Sequence, residues 1–396
     1  MSGLTVGGLL ERLLGRLPIG WLQLVHNRTR LAAALAGVAF ANVLIFMQLG
    51  FLGALVESIR LPYASMNADV IVSASDMNTL ADASPLPRSR MVEALSVPGV
   101  VAATPLYHGR IDWKQPDGTI RTLDVFGIDP AAEAFRTPAI AAARGAIAAS
   151  DVAIVDRRTR NVPRDVFAAI ERGEPYRFEA RGRTLTVVGT FTIGGGFSAD
   201  GYLVVSDQTF LRLFPQRASG APNLVLLRLE READRETVVA RLRATLPAYD
   251  SAVRTVEETV ARDQAFQTTQ RPIGIVFGFG IVIGVLVGVV IVYQVLSTDV
   301  ADHLEEYATL KAIGYPRRFF LGIVFEEALI LALLGFVPGI LVALALYAAI
   351  SAATGLPLAM TPARPLWVLL GTLAMCALSG AVATRRLARA DPADLF

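Results

Sequence analysis

The sequence predicts a membrane protein of the α+β class, in which four transmembrane helices carry a large two-lobed extracytoplasmic domain. Four apolar segments are long enough for helices that cross a bilayer, which takes about 20 predominantly apolar residues. Segments 31–56 and 272–296 contain no charged residue. A long stretch of ordinary globular composition separates these two segments, and the hydrophobic fraction of 53% with 18% charged residues averages both parts.

The predicted boundaries follow the apolar segments in chain order. They are a cytoplasmic amphipathic N-terminal segment at 1–30, helix one at 31–56, the extracytoplasmic domain at 57–271 with an inserted lobe at about 131–220, helix two at 272–296, a cytoplasmic loop at 297–318, helix three at 319–353, a short external loop at 354–364, helix four at 365–384 and a cytoplasmic tail at 385–396.

Basic residues beside the membrane ends predict the orientation. They are Arg12, Arg16, Arg28 and Arg30 before the first segment, Lys311, Arg317 and Arg318 between the second and third, and Arg385, Arg386 and Arg389 after the last. Cytoplasmic loops carry such an excess of Lys and Arg, so both termini are expected inside and the large domain outside. The first segment is too long for the apolar part of a signal peptide and is interpreted as an anchor.

The large domain alternates short strands and helices at both of its ends. A strand at 70–73, a helix at 90–95 and a strand at 100–107 begin it, and a hairpin of 110–114 with 120–126 follows. The order returns near the end as a strand at 223–229, a helix at 234–246 and a strand near Ser251. Two β-α-β halves around an insertion predict a split ferredoxin-like lobe.

The inserted lobe is predicted to be mostly β structure. Tyr176, Phe178 and Ala180 alternate with polar residues, residues 181–183 make a turn, and Leu185 and Val187 begin the return strand, which is the pattern of a hairpin. The glycine-rich run 194–201 lacks the Lys and Ser or Thr of a phosphate-binding loop, so we interpret it as a flexible loop. Phe197 at its tip is a candidate contact for a partner protein.

A polar stretch at 256–270 has no glycine or proline before Pro272, and it predicts a continuous helix that leads into the second span. A mechanical stalk and a plain connecting helix both fit this pattern. Glu326 and Glu327 stand about two turns beyond Arg317 and Arg318, where ion pairing or extension of the side chains to the inner interface is inexpensive. A structural role is therefore preferred for both over a proton relay.

The composition argues against several function classes. A net charge of +2 without a basic stripe argues against nucleic-acid binding. The single cysteine, Cys376, excludes an intrachain disulfide. His26, His108 and His303 are too scattered for a metal cluster, and no nucleophile motif accompanies them. We expect a non-catalytic subunit without catalytic, cofactor-binding or metal-binding residues.

The cytoplasmic segment 299–320, DVADHLEEYATLKAIGYPRRFF, predicts a short amphipathic helix between two spans. Leu304, Tyr307, Ala308 and Ile313 can form its apolar face, Gly314 ends it and Pro316 prevents its continuation. The run EEYATLKAIGYPRR resembles the coupling segment of the FtsX/MacB-type permeases of ABC transport systems. The terminal run ARADPADLF is similar to the closing Asp-Pro-Ala signature of that family. The passages GWLQLVHNRTRLAAALAGVAFANVLIFMQLGF and FSADGYLVVSDQTFLRLF look most like its DevC-like branch.

The resemblance implies an FtsX-like permease domain at 272–396 and a MacB-like periplasmic domain before it. It also implies that the coupling segment docks on a separate ATPase, with apolar positions in a groove and charged positions at its rim. The residues assigned to this contact are Glu305, Glu306, Tyr307, Leu310, Lys311, Ala312, Ile313 and Gly314. A helix lying on the lipid headgroups is the competing interpretation.

The function implied by the resemblance is that of a permease subunit in the bacterial inner membrane. A homodimer would couple ATP hydrolysis by partner ATPases to motion of its periplasmic domain, the type VII mechanotransmission mechanism, and export a lipid, glycolipid or other envelope substrate. The expected partners are the ATPase, which binds the ATP, a membrane-fusion adaptor and an outer-membrane channel of the TolC type; no cofactor is expected in this chain. The alternative is an FtsX-like regulator that activates a periplasmic cell-wall hydrolase.

Overall fold

The computed structural model describes residues 19–115 and 118–389. The first eighteen residues of the predicted N-terminal segment and the Asp-Pro-Ala signature at 391–393 lie outside the described residues. The chain divides into two compact units. One unit comprises Met1–Leu52, Val276–Ala349 and Ala359–Phe396, and the other comprises Gly53–Ile275 and Ile350–Leu358. We call them the helical unit and the extracytoplasmic unit.

The helices, in chain order, are α1 (Ile19–His26), α2 (Arg28–Ser65), α3 (Ser89–Leu95), α4 (Pro138–Ile147), α5 (Arg164–Glu171), α6 (Asp207–Leu213), α7 (Arg235–Thr245), α8 (Val256–Thr269), α9 (Pro272–Asp302), α10 (Leu304–Ala312), α11 (Arg317–Thr354) and α12 (Ala363–Arg389). The strands are β1 (Val70–Ala74), β2 (Val100–Lys114), β3 (Ile120–Ile128), β4 (Val152–Asp156), β5 (Tyr176–Ala180), β6 (Arg183–Phe191), β7 (Gly201–Ser206), β8 (Leu224–Leu229) and β9 (Ser251–Thr255).

Four of these helices, α2, α9, α11 and α12, are long and apolar enough to cross a membrane. In the helical unit they share a buried core built from small and branched side chains. The buried members of the core are Leu24, Ala34, Val38, Val292, Leu296, Val300, Val324, Ala328, Ile330, Leu331, Ala332, Met375, Cys376 and Ala383. Close backbone approach accompanies this packing: a Cβ on Gly335 would lie 2.7 Å from Val38.

The extracytoplasmic unit is built on one nine-stranded sheet with the order β5-β6-β4-β7-β3-β2-β8-β1-β9. The last four strands in this order, β2-β8-β1-β9, are all antiparallel, with α3 joining β1 to β2 and α7 joining β8 to β9. This is the split β-α-β arrangement that the sequence predicted. The N-terminus of α7 is capped by Asp234, whose carboxylate accepts from the Thr237 backbone N–H.

Two hydrophobic cores on this sheet make the unit two-lobed, which confirms the predicted class. One core packs α3 and α7 against β1, β8 and β9, and a second packs α5 and α6 against the other half of the sheet. Trp113 lies in the second core with no exposed surface, stacked on Phe178 with ring centroids 4.8 Å apart. The inserted lobe, expected to be mostly β structure, contains helices α4, α5 and α6 as well as four strands.

Two local features differ from the sequence-based expectations. The predicted strands at 100–107 and 110–114 are one strand, β2, because its ladder with β3 runs unbroken from Leu106 to Lys114. Gly109 lies within it as a packing site, where a Cβ would lie 2.5 Å from the Phe214 ring. The helix predicted at 256–270 is α8, Val256–Thr269, but it does not continue into the second span, because α9 begins separately at Pro272. Proline has no N–H and its ring excludes the preceding turn, so it starts a new helix there.

Candidate functional site

The candidate site is the short helix α10, which lies between α9 and α11 in the helical unit. Good helix formers make up its sequence LEEYATLKA. His303 precedes it, and its Nδ1 lies 3.0 Å from the carbonyl oxygen of Asp299 at the end of α9. The helix ends at Ala312, and Gly314 follows with a φ of +107°, a left-handed conformation that favours glycine.

One face of α10 is buried. Tyr307 is only 3% exposed and packs on Ile323 and on Phe320 of α11, with the two aromatic ring centroids 5.6 Å apart. Its hydroxyl donates to Oε1 of Gln23 in α1 at 3.2 Å. Burial raises the pKa of the Tyr307 phenol above its ordinary value, so this hydroxyl stays a donor. Leu310 packs partly buried against the same cluster. Tyr307 and Leu310 therefore anchor the helix.

The opposite face of α10 and the turn after it are exposed. Its exposed members are Glu306, Lys311, Ala312, Ile313, Gly314 and Tyr315. Ile313 is 71% exposed and Tyr315 is 44% exposed. The side chain of Glu305 lies outside the described residues. The exposed surface therefore combines a large apolar side chain with charges of both signs, and we call it the α10 surface.

The single apolar face predicted for this helix is wrong in one respect. Tyr307 points inward, whereas Ile313 is exposed on the other side. Ile313, the C-cap, keeps a helical conformation with φ −71° and ψ −15°. It follows Tyr307 by six residues, about 240° around a helix of 3.6 residues per turn, so the helical period itself directs it away from the buried face. Of the residues assigned to partner contact, Tyr307 is thus buried and Leu310 partly buried, and the other described ones are accessible.

An ion-pair cluster links α2 to α9 close to the start of α10. The guanidinium of Arg30 lies 3.1 Å from the Asp299 carboxylate and 2.6 Å from that of Asp302, and it donates to the carbonyl of Val295 at 3.1 Å. The sequence indicated Arg30 only as a charge that sets orientation. Its two acidic partners are 269 and 272 positions away, which no local pattern reveals.

Glu326 and Glu327 are buried, contrary to the expectation that they extend to the inner interface. Glu326 is 6% exposed and Glu327 has no exposed surface. The Glu327 carboxyl interacts with that of Asp299, and a Cβ on Gly20 would lie 2.9 Å from its Cγ. The tight approach of α1 to α11 at Gly20 therefore covers Glu327, because both helices pack in the same core of the helical unit.

The glycine-rich loop is held by hydrogen bonds within the extracytoplasmic unit. The buried carboxylate of Asp156 accepts from the backbone N–H groups of Ile193 at 3.3 Å and Gly194 at 2.6 Å. Arg160 donates to the carbonyls of Gly196 at 2.5 Å and Ala199 at 3.0 Å. Phe197 is half-buried in this loop, and its contact with a partner protein stays a prediction.

Comparison with known proteins matches both parts of the chain. Residues 31–245 match the model of the MacB-like periplasmic core domain, and residues 278–392 match that of the FtsX-like permease C-terminal domain. No curated protein matches the chain.

Several solved structures are similar to the extracytoplasmic part. The periplasmic region of MacB from Actinobacillus actinomycetemcomitans is 10% identical, with a TM-score of 0.33 over 48% of this chain and 91% of that one. The extracellular domain of the noncanonic ABC-type transporter YknZ from Gram-positive bacteria is 12% identical, with a TM-score of 0.30 over 48% and 98%. A domain of a putative permease from Porphyromonas gingivalis is 13% identical, with a TM-score of 0.29 over 49% and 89%.

Proposed function

Because the chain belongs to the family of FtsX-like permeases with a MacB-like periplasmic core domain, we propose that it is the membrane subunit of an ABC exporter whose ATPase is a separate polypeptide. In this function the α10 surface docks on the ATPase. Closure of two ATPase subunits around ATP then moves the extracytoplasmic units of a homodimer, and the ATP is bound by the partner alone.

The observation that carries this proposal is the two-sided construction of α10. A docking helix needs an exposed face for its partner and a second face fixed to the elements that it moves. Ile313 supplies an exposed apolar anchor, with Glu306 and Lys311 beside it. Tyr307 fixes the other side to α11. Charges of both signs suit the rim of a protein groove better than an anionic lipid surface.

The packing also supports transmission of the movement. Tyr307 joins α10 to α1 through Gln23 and to α11 through Phe320, and Arg30 joins α2 to α9. Tyr307 thus ties the docking helix to α11, and Arg30 ties α2 to α9, which ends just before α10. A push on α10 would therefore act on several helices as a set, and α11 extends to Thr354, within the residues of the extracytoplasmic unit.

The remaining parts of the proposed assembly follow from the same function. In the proposed assembly both termini lie in the cytoplasm, on the side of α10 and of the basic residues before α2, as an excess of Lys and Arg beside these membrane ends favours. A membrane-fusion adaptor would engage the extracytoplasmic unit, and a TolC-type channel would complete the path across the outer membrane. The substrate is proposed to be a lipid, glycolipid or other envelope molecule, by analogy with the DevC-like branch.

An affinity pull-down of the full-length chain in detergent, with mass spectrometry of the captured proteins, tests the proposal. The variant is Ile313→Asp, which changes an exposed side chain and should leave the fold intact. The matched control is Val92→Asp, at a residue of α3 that is 63% exposed in the extracytoplasmic unit. We expect the wild type and Val92→Asp to retain the ATPase and adaptor, and Ile313→Asp to lose the ATPase alone.

Two results would contradict this function. If Ile313→Asp recovers as much ATPase as the wild type does, the α10 surface is not the docking site. Recovery of a cell-wall hydrolase in place of the adaptor would favour the regulatory alternative, in which the same ATPase contact switches an extracytoplasmic enzyme.

A further inference from the structure

A cleft of about 760 Å³ lies within the extracytoplasmic unit, apart from the α10 surface. One wall is the turn after β4, from Arg157 to Val162, with Gly194 and Gly195 beside it. The other wall is the chain from Ser351 to Pro357, where α11 ends. Its volume falls in the range of small-molecule sites, roughly 300–1,000 Å³.

Positive charge dominates the cleft. Arg157, Arg158 and Arg160 line it, and Glu171 is the acidic residue among the lining side chains. Glu171 is already neutralised, because its carboxylate lies 3.1 Å from Nε of Arg157. Arg160 is partly neutralised by Asp200, whose carboxylate lies 3.3 Å from its guanidinium.

Arg158 has no ion-pair partner of this kind within the described residues, although the buried Asp156 carboxylate attracts its charge. Within the described residues, its guanidinium makes no ion pair and no side-chain hydrogen bond, and its side chain lies against Gly194. The backbone N–H of Arg158 donates to the Asp156 carboxylate at 2.9 Å, and the same carboxylate holds Gly194. The backbone on this side of the cleft is thus fixed by hydrogen bonds, while the guanidinium of Arg158 stays available to a ligand in the cleft.

Arg160 is positioned rigidly on the same wall. Its guanidinium donates to the Gly196 and Ala199 carbonyls, and its buried Nε has no hydrogen-bond partner among the described residues. The Arg160 side chain also packs on Gly355, which follows α11 with a φ of +68°. A Cβ at Gly355 would lie 3.1 Å from Cγ of Arg160, so the glycine lets the two walls approach each other.

The position and lining of the cleft indicate the class of ligand. It includes the last residues of α11, a membrane-crossing candidate that ends at Thr354, and the ends of such helices meet the lipid headgroups. Leu61, Phe167 and Leu356 add apolar surface beside the arginines. Guanidinium groups bind phosphate through paired, charge-assisted hydrogen bonds.

We propose that this cleft binds the phosphate of an anionic phospholipid headgroup, with Arg158 as the principal contact and Arg160 as the second. The apolar lining accommodates the glycerol and the start of an acyl chain. A free phosphate would use the same chemistry without the apolar contacts. The binding does not depend on docking of an ATPase, so the purified chain alone should show it.

The test is a binding titration of the full-length chain in a phosphate-free maltoside detergent. The probes are a short-chain phosphatidylglycerol, the matching diacylglycerol without phosphate, and inorganic phosphate as competitor. The variants are Arg158→Glu and the milder Arg158→Gln. The control is Arg241→Glu, the same charge change at an exposed arginine of α7 outside the cleft.

We expect Arg158→Glu to weaken phosphatidylglycerol binding at least about tenfold, as the loss of a charge-assisted hydrogen bond would, with a smaller loss for Arg158→Gln and none for Arg241→Glu. Because the Arg158 side chain makes no ion pair and no side-chain hydrogen bond within the described residues, we expect both variants to melt close to the wild type. Weak diacylglycerol binding would confirm the need for phosphate. Full competition by inorganic phosphate at equal concentration would support the site and assign it to a free phosphate.

Two outcomes would overturn the proposal. One is unchanged affinity for phosphatidylglycerol in Arg158→Glu. The other is an equal loss in Arg241→Glu, which would show that overall charge rather than the cleft governs binding.

Discussion

The buried hydroxyl of Tyr63 offers a quantitative test of how α2 is fixed to α8. Tyr63 is 1% exposed, and its hydroxyl donates to the Asp263 carboxylate at 2.9 Å. The same carboxylate accepts from the Leu80 backbone N–H at 3.0 Å and from Nε2 of Gln267 at 3.0 Å. The substitution Tyr63→Phe removes one of these donors and leaves the ring in place.

The expected loss follows from the charge of the acceptor. A hydrogen bond to a charged group contributes about 1.5–3 kcal/mol, so Tyr63→Phe should lower the free energy of unfolding by about 2 kcal/mol. For a domain of this size such a loss lowers Tm by roughly 4–8 °C. The measurement is thermal unfolding of the full-length chain in detergent, followed by tryptophan fluorescence, since the buried Trp113 reports on this unit.

The dependence on pH gives a second readout. Burial raises the pKa of Asp263 above its ordinary value of 3.8, and its hydrogen bonds from Gln267, Leu80 and Tyr63 oppose that rise. At pH values between the unfolded-state pKa of Asp263 and its higher native-state pKa, the native state binds more protons than the unfolded state. The free energy of unfolding therefore falls as pH rises through the native pKa. Loss of the Tyr63 donor raises the pKa of Asp263 further. The loss of stability in Tyr63→Phe should therefore be full at neutral pH and smaller in acid.

The control is Tyr249→Phe, because the Tyr249 side chain is 79% exposed. Its Tm should match that of the wild type. A Tyr63→Phe variant that melts with the wild type would refute the reasoning, and so would a loss that is the same at acidic and at neutral pH.

Two further predictions concern the extracytoplasmic unit. Gly127→Ala should destabilise it by about 1–3 kcal/mol through overpacking, since the new Cβ would lie 2.5 Å from a side-chain carbon of α6. Gly145→Ala, in open space on α4, should stabilise it by about 0.5–1 kcal/mol. Thermal unfolding measures both changes, and the opposite sign for either variant would contradict its prediction. Burial opposes ionisation of Asp124, but His108 and Arg110 more than offset it and lower its pKa below 3.8. Asp124→Asn should therefore lower the free energy of unfolding at neutral pH, and by progressively less as pH falls below 3.8. Unfolding measured at several pH values tests this, and a loss that stays the same at every pH would contradict it.

Local patterns predicted the elements whose partners are close in sequence. The helix expected at 234–246 is α7, Arg235–Thr245, because Asp234 caps it and its apolar residues keep the helical period. The predicted hairpin is β5 and β6, and Arg181 and Gly182 at its turn have φ values of 50° and 71°. A two-residue turn in that conformation fits antiparallel strands.

Non-local contacts explain what the sequence did not predict. The continuous sheet depends on the parallel pairing of β3 with β7, which are far apart in the chain. The two strands predicted at 100–107 and 110–114 are one strand, because a single ladder with β3 runs from Leu106 to Lys114. At the candidate site, the sequence predicted the helix, but grouping Ile313 with Tyr307 on one face was wrong, because the helical conformation of Ile313 directs it away from the buried side. The arginine cleft combines β4 with the end of α11, so no local pattern indicated it.

Site-specific photocrosslinking in cells tests the central claim most directly, namely that the α10 surface contacts a separate ATPase. A photoreactive amino acid replaces Ile313 in one strain and the exposed Tyr249 of the extracytoplasmic unit in another, and the crosslinked products are identified by mass spectrometry. We predict an ATPase adduct from position 313 and none from position 249. Lipid adducts alone at position 313, with the ATPase absent, would contradict the account and place α10 on the headgroups instead.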